Sequence, residues 1–125
     1  MSKVKQVIII RKDLKMRLGK SIVSGSHASM KIFLDKIFHS NKQPEWSSEE
    51  LEWINGIFIK ICVGVNSEKE LIDCYDKAKE AGLNCSLIKD SGLTEFSGVP
   101  TYTCVAIGPN YSEKIDLITG HLKLL

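Results

Sequence analysis

The sequence predicts an α/β fold on a four-stranded sheet, and three observations carry that expectation. Short β-branched-rich runs alternate with longer segments of helical periodicity, as in chains that build βα units. The last two strand-like runs have only a loop between them, so a largely parallel sheet could carry one antiparallel edge pair and be mixed. At 125 residues, with 43% apolar and 26% charged side chains, the chain suits one core and leaves no room for a second.

Val4 to Ile10 has little polar interruption and reads as a buried central strand. Lys12 to Gly19 is a basic loop. From Lys20 to about His39, Ile22, Val23, Met30, Phe33, Leu34, Ile37 and Phe38 recur at three- and four-residue spacings, so a helix is expected. Gly25 inside it costs about 1 kcal/mol relative to alanine, and either admits a close backbone neighbour or has no further role. Ser40 to Pro44 is turn-like. Ser47-x-x-Glu50 is a capping-box pattern before a short helix, Ser48 to Ile54, which Gly56 breaks. Ile57 to Val65 reads as the second strand. Ser67-x-x-Glu70 opens another helix with Leu71, Cys74, Tyr75 and Ala78 on its buried side, closed by Ala81-Gly82. Leu83 to Ile88 is the third strand, Lys89 to Pro100 a loop, and Tyr102 to Ile107 the fourth strand. Ser112 can cap a last helix whose apolar face is Ile115, Ile118 and Leu122.

Several function classes drop out. No apolar run approaches the roughly 18 residues that span a bilayer. The first apolar run meets Arg11 and Lys12 at once, with no small-residue cleavage site, so a soluble, non-exported, cytoplasmic protein is expected. Cys62, Cys74, Cys85 and Cys104 fall in different apolar segments without a C-x-x-C pair, as for reduced and mostly buried thiols. Neither they nor His27, His39 and His121 have zinc-ligand spacing, so no metal is expected. Residues 1–20 carry Lys3, Lys5, Arg11, Lys12, Lys15, Arg17 and Lys20 against Asp13 alone, while the whole chain nets only +2. Such a segment suits an anionic partner such as nucleic acid, or is a solvated lysine-rich surface.

Ligands of α/β sheets bind beyond the carboxyl ends of parallel strands. Two loops qualify. Lys12 to Lys20 offers four cations and a helix N-terminus, which favours anions. Lys89 to Pro100 offers Asp90, Ser91, Thr94 and Glu95 beside Gly92. Convergence of the two would bring Lys20 to a carboxylate. Neither is a glycine-rich phosphate loop, and no G-x-S-x-G elbow is present. Lys20, Ser24 and His27 are spaced by four and three, so they line one side of a helix. His27 also shares the stripe of Val23, Met30 and Leu34, where it would be a buried core histidine. Asp90 has a plain reading as a turn residue before Gly92.

Val7-Ile8-Ile9-Ile10-Arg11-Lys12-Asp13-Leu14-Lys15-Met16, then Gly19-Lys20 and Ser26-His27-Ala28, resembles the opening of the type 2 peptidyl-tRNA hydrolases of archaea and eukaryotes. The likeness resumes at Lys77 to Leu83, Ser86 to Asp90, Gly92 and Thr94. It closes with Ala106-Ile107-Gly108-Pro109, Ile115-Asp116 and Thr119 to Leu125, and is loose only over Ser40 to Gly56. The resemblance implies a single-domain three-layer α/β/α fold over residues 1–125 with a mixed four-stranded sheet. It implies hydrolysis of the ester joining a peptide to the terminal ribose of tRNA, without metal or organic cofactor. The family's catalytic positions fall on Lys20, His27, Asp90, Thr94 and Thr103.

Ester hydrolysis needs an activated water and a stabilised oxyanion. On this resemblance Asp90 would orient or deprotonate the water. Lys20 would stabilise the oxyanion or hold a phosphate, and Thr94 and Thr103 would position the water or the ribose. His27 would orient its neighbours. Lys12, Lys15 and Arg17, with Ser24, would face the tRNA. A homodimer is a further expectation of the likeness. The family usually has glutamine at the position of Ser24 and Asp-Ala-Gly-Arg-Thr-Gln where this chain has Asp90-Ser91-Gly92-Leu93-Thr94-Glu95. Leu93 and Glu95 make the site less positive. The alternative to a hydrolase is therefore a non-catalytic member binding tRNA or a protein through the same surface.

Overall fold

The computed structural model describes residues 3–39, 43–93 and 96–125. Its elements run β1 (Val4–Arg11), α1 (Leu18–Phe38), α2 (Ser48–Asn55), β2 (Lys60–Val65), α3 (Glu68–Glu80), β3 (Cys85–Asp90), β4 (Thr101–Tyr111) and α4 (Ser112–Thr119). The strands form one sheet in the order β2-β1-β4-β3. Only β1 and β2 pair parallel. β4 runs against both β1 and β3. The expected mixed sheet is present, but it is not largely parallel, because β4 inserts beside β1 rather than at an edge.

Element boundaries differ where local signals are weak. β2 begins at Lys60 rather than Ile57, because Phe58 takes a φ of 39° and turns the chain. β3 lies two residues later than expected and ends on Asp90. β4 continues through a cis Gly108-Pro109 bond to Tyr111, where it still pairs with Val4. The expected turn at Ser40 to Pro44 falls partly on 40–42, outside the described residues.

The two faces of the sheet are packed differently. On one, α3 and α4 close over large aliphatic side chains of every strand. Val7, Ile9, Val65, Leu71, Val105, Ile107 and Ile115 are each at most 1% exposed there. Each such burial stabilises the fold by roughly 1.5–3 kcal/mol. The four cysteines are free thiols, two buried and two half-buried. Burial pushes the Cys104 thiol far up, with the neighbouring Cys62 adding to the shift, so it is inert.

On the other face lies α1, with α2 docked on its C-terminal half through stacked Phe33 and Trp53 rings, 5.6 Å between centroids, and a Lys36–Glu50 ion pair. The inward side of α1 is Ser24, Gly25, Ala28, Ser29 and Ile32. This corrects the expectation of an inward apolar stripe. Ile22, Val23, Met30, Leu34 and Ile37 point outward, 39–62% exposed. Small residues let α1 approach the sheet closely. A Cβ on Gly25 would already touch Ile8 at 3.4 Å. Three buried polar side chains tie α1 to the sheet and the sheet to itself: Ser29 Oγ donates to Gln6 Oε1 (2.5 Å), Gln6 Nε2 to the Gly108 carbonyl (3.2 Å), and Ser86 Oγ to the Ala28 carbonyl (2.6 Å).

Candidate active site

α1 starts without local help. Arg17 stands at its N-cap with no side-chain hydrogen bond to the helix, and its first turn holds no acid. Lys20, in that turn, puts a cation at the positive end of the helix dipole, which is locally unfavourable. The offset comes from another element. Lys20 Nζ forms an ion pair with Asp90 Oδ2 at the end of β3, and the two side chains are 17% and 15% exposed. The other carboxylate oxygen accepts the Gly92 amide at 2.8 Å. The Lys20 hydrogen bond first, then the Gly92 N–H, hold Asp90 below the usual carboxylate range, with a smaller contribution from nearby His27 and some opposition from burial.

Gly92 is indispensable to this arrangement. Its φ is +82°, and a Cβ there would lie 2.3 Å from the Val99 carbonyl oxygen. Its own carbonyl accepts the Gly98 amide at 2.9 Å, closing the loop. The sequence signal is Asp-x-Gly, the pattern in which an aspartate caps the amide two residues on. The turn role and the site role of Asp90 are thus one geometry.

The basic loop after β1 is braced from several sides. The Lys12 amide donates to the Val65 carbonyl (2.8 Å) and the Lys15 amide to the Lys12 carbonyl (3.1 Å), with Lys15 at a φ of 50°. Lys12, Lys15 and Arg17 are exposed. The Lys12 stem and Leu125 crowd over Gly64, where a Cβ would meet them at 2.7 and 2.9 Å. Arg11 escapes notice in the sequence, where it counts only as one more cation. Its guanidinium reaches three other segments.

The remaining expected site residues divide. His27 is exposed, not a core histidine, because the stripe it shares faces outward. Ser24 is 1% exposed, turned toward the sheet, and is not at a surface that tRNA could reach. Thr103 is fully buried at a bulge of β4, where the register against β3 skips it, and its Oγ1 has no hydrogen-bond partner among the described residues. Thr94 and Glu95 lie outside the described residues. Leu93 is 84% exposed, so neither it nor Ser24 interrupts the ion pair. Among the described residues no three His, Cys, Asp or Glu side chains are grouped to share a metal ion.

A fixed carboxylate beside an ammonium, at the edge of an exposed basic loop, is equipped to orient a water and neutralise a developing oxyanion near an anionic ligand. Comparison with known proteins agrees in kind. The family model described as Peptidyl-tRNA hydrolase PTH2 matches residues 4–125. A peptidyl-tRNA hydrolase of Methanocaldococcus jannaschii is 49% identical over 122 residues, spanning 98% of this chain and 100% of that one. One from Methanothermobacter thermautotrophicus is 43% identical with the same coverage. A solved structure of a protein of unknown function from Agrobacterium superposes with a TM-score of 0.63 at 13% identity, over 100% of this chain and 99% of that one, a likeness of fold.

Proposed function

This chain belongs to the peptidyl-tRNA hydrolase PTH2 family, and from that premise we propose how its residues cleave the ester between peptide and tRNA. The observation that carries the reading is the Lys20–Asp90 ion pair, with the Gly92 amide on the free carboxylate oxygen. Asp90 holds the attacking water through a hydrogen bond. A carboxylate held below its usual range is a weak proton acceptor, which favours orienting the water over deprotonating it outright. Water adds to the ester carbonyl carbon, and the Lys20 ammonium stabilises the oxyanion that forms. The carbon–oxygen bond to the ribose then breaks, and the proton lost by the water ends on the departing hydroxyl. His27, exposed beside the pair, orients Asp90. Thr103 lies too deep to touch substrate in this conformation. Thr94 follows Asp90 by four residues in the sequence, and its proposed task is to position the water or ribose.

Lys12, Lys15 and Arg17 track the tRNA phosphates, so affinity should fall steeply with salt. The enzyme works in the cytoplasm, where peptidyl-tRNA arises. No helix among the described residues is long and apolar enough to cross a membrane. The test is single-turnover cleavage of an N-acylated aminoacyl-tRNA by the wild type, Asp90→Asn and Lys20→Ala. Both variants should lose roughly 10²–10³-fold in rate, as when a preorganised charge is removed from an ester-cleaving site. Cleavage surviving both would remove the pair from the mechanism.

The homodimer is also proposed, through the outer side of α1. Leu18, Ile22, Val23, Met30, Leu34 and Ile37 are 39–78% exposed. Leu18, Ile22 and Met30 among them flank a groove of about 630 Å³ that Ile8, Ile10 and Cys62 also line. An exposed apolar face of this kind marks an interaction surface. Light scattering should find a dimer that Met30→Glu converts to a monomer. A wild-type monomer at high micromolar concentration would refute it.

A further inference from the structure

We infer that Arg11 is a positioning residue, a strut that sets the basic loop against the strand pair bearing Asp90, with Asp13 as its counterpart. The inference rests on the reading of Lys12, Lys15 and Arg17 as the phosphate-tracking loop.

Arg11 ends β1 with a side chain only 10% exposed. Its fork holds Asp13 in two bonds, Nε to Oδ1 at 3.1 Å and Nη2 to Oδ2 at 2.6 Å. Its remaining nitrogen, Nη1, donates to the Tyr102 carbonyl at 3.0 Å and lies 3.7 Å from Glu68 Oε1 at the start of α3. Four segments therefore meet on one planar group: the end of β1, the basic loop, the start of β4 and the start of α3. The neighbour of Tyr102, Thr101, pairs in register with Asp90. A rigid path thus runs from the loop, through the fork, to the strand pair that ends at the carboxylate. Only a guanidinium can make these bonds at once, because a lysine ammonium has no planar fork.

The charges point the same way. Arg11 faces two carboxylates, so its charge is already engaged and it is not itself a phosphate ligand. Asp13 is the sole acid among residues 1–20. In a loop meant for RNA it would repel phosphate, but the fork largely cancels it. An acid placed there is useful as an anchor.

This yields a test in which electrostatics and positioning predict opposite signs. Asp13→Asn makes the loop one unit more positive. On charge alone, tRNA should bind more tightly. With the strut broken, the loop must be re-ordered on binding, and KM for peptidyl-tRNA should rise roughly three- to tenfold, the entropy of ordering a few side chains. kcat should stay within about twofold, because Lys20 and Asp90 keep their bonds. The salt slope of tRNA binding should fall by about one for each phosphate that the loosened loop no longer holds. Asp13→Glu, which retains a carboxylate, should recover most of the KM, and Arg11→Lys, which retains the charge, should not. Each variant is assayed well below its melting temperature, so that a loss of global stability leaves the KM-to-kcat split unmoved. An unchanged or lowered KM in Asp13→Asn overturns the strut, as does a Glu variant as impaired as the Asn one. Lys15→Ala, titrated with salt alongside, separates the two levels. If it leaves the slope unchanged, the reading of the loop fails and the strut's role fails with it. If it lowers the slope while Asp13→Asn leaves KM unmoved, the strut alone fails.

Discussion

The N-termini of α1 and α3 solve the same problem in opposite ways. α3 begins with Ser67, whose Oγ accepts the Glu70 amide at 3.1 Å, and carries Glu68 and Glu70 in its first turn. One of its exposed amides is satisfied and its dipole is matched, all within four residues. α1 begins with Arg17 and Lys20, no acid and no side-chain cap. Asp90, brought in from β3, sets a carboxylate against its first turn. The capped end serves stability. The other end leaves its positive potential to a distant carboxylate and to whatever anion arrives. A place where a local rule is broken, and mended from afar, is where function is expected.

The comparison can be broken most severely at the remote partner. Lys20→Ala or Asp90→Asn should cost roughly two to three orders of magnitude in cleavage rate, while the melting temperature shifts by only a few degrees. A collapse of the fold in both variants would mean that the ion pair is structural, like the cap of α3. The reciprocal cut is Ser67→Ala. It should destabilise the protein by about 1 kcal/mol, read by urea titration, and leave kcat/KM of the folded enzyme untouched. Arg17→Ser sharpens the contrast further. It offers α1 the cap it lacks and should stabilise the fold by about 0.5 kcal/mol while weakening tRNA binding, so stability and affinity move in opposite directions in one variant.

The smallest effect is the dependence on acid. Asp90 is held low by Lys20 first and the Gly92 amide second, and Asp13 by its hydrogen bond from Arg11. A depressed carboxylate contributes stability that is complete above its unfolded pKa, about 3.9, and is lost as pH falls through the lower folded value. Melting temperature should therefore drop as pH falls below about 4, and less so in Asp90→Asn. Identical acid profiles for the two proteins would show that Asp90 gains nothing from its partners.

What can be read in the chain follows the same division. The starts of α2 and α3 are legible because serine and glutamate at fixed spacing act within one turn. At Ser47 both halves of the capping box form. The start of α1 lies two residues before its expected place because no cap announces it. Ile57 and Phe58 look like part of β2 because they are apolar, yet Phe58 bends the backbone and Trp53 Nε1 donates to the Ile59 carbonyl at 2.8 Å, holding the turn. The inward side of α1 misleads for a related reason. Two stripes share the 3.6-residue period, one of large apolar residues and one of small ones, and hydrophobicity favours the wrong stripe.

By itself, then, the sequence determined the kinds of element and most of their order. It also determined the chemical types available at the site, Lys20, His27 and Asp90 among them, because periodicity, capping and side-chain chemistry are local. Tertiary structure decided which side of α1 turns inward, since only the small side chains let the helix come close enough to Ile8 and the sheet. It set β4 between β1 and β3 and so made the sheet mixed. It joined Lys20 to Asp90 and Arg11 to Tyr102, groups far apart in the chain that meet only when the sheet has formed. It also buried Ser24, which helical spacing had set beside Lys20 and His27, and Thr103, which the family resemblance had marked for the site. Those outcomes depend on distance and packing, which no local pattern of residues encodes.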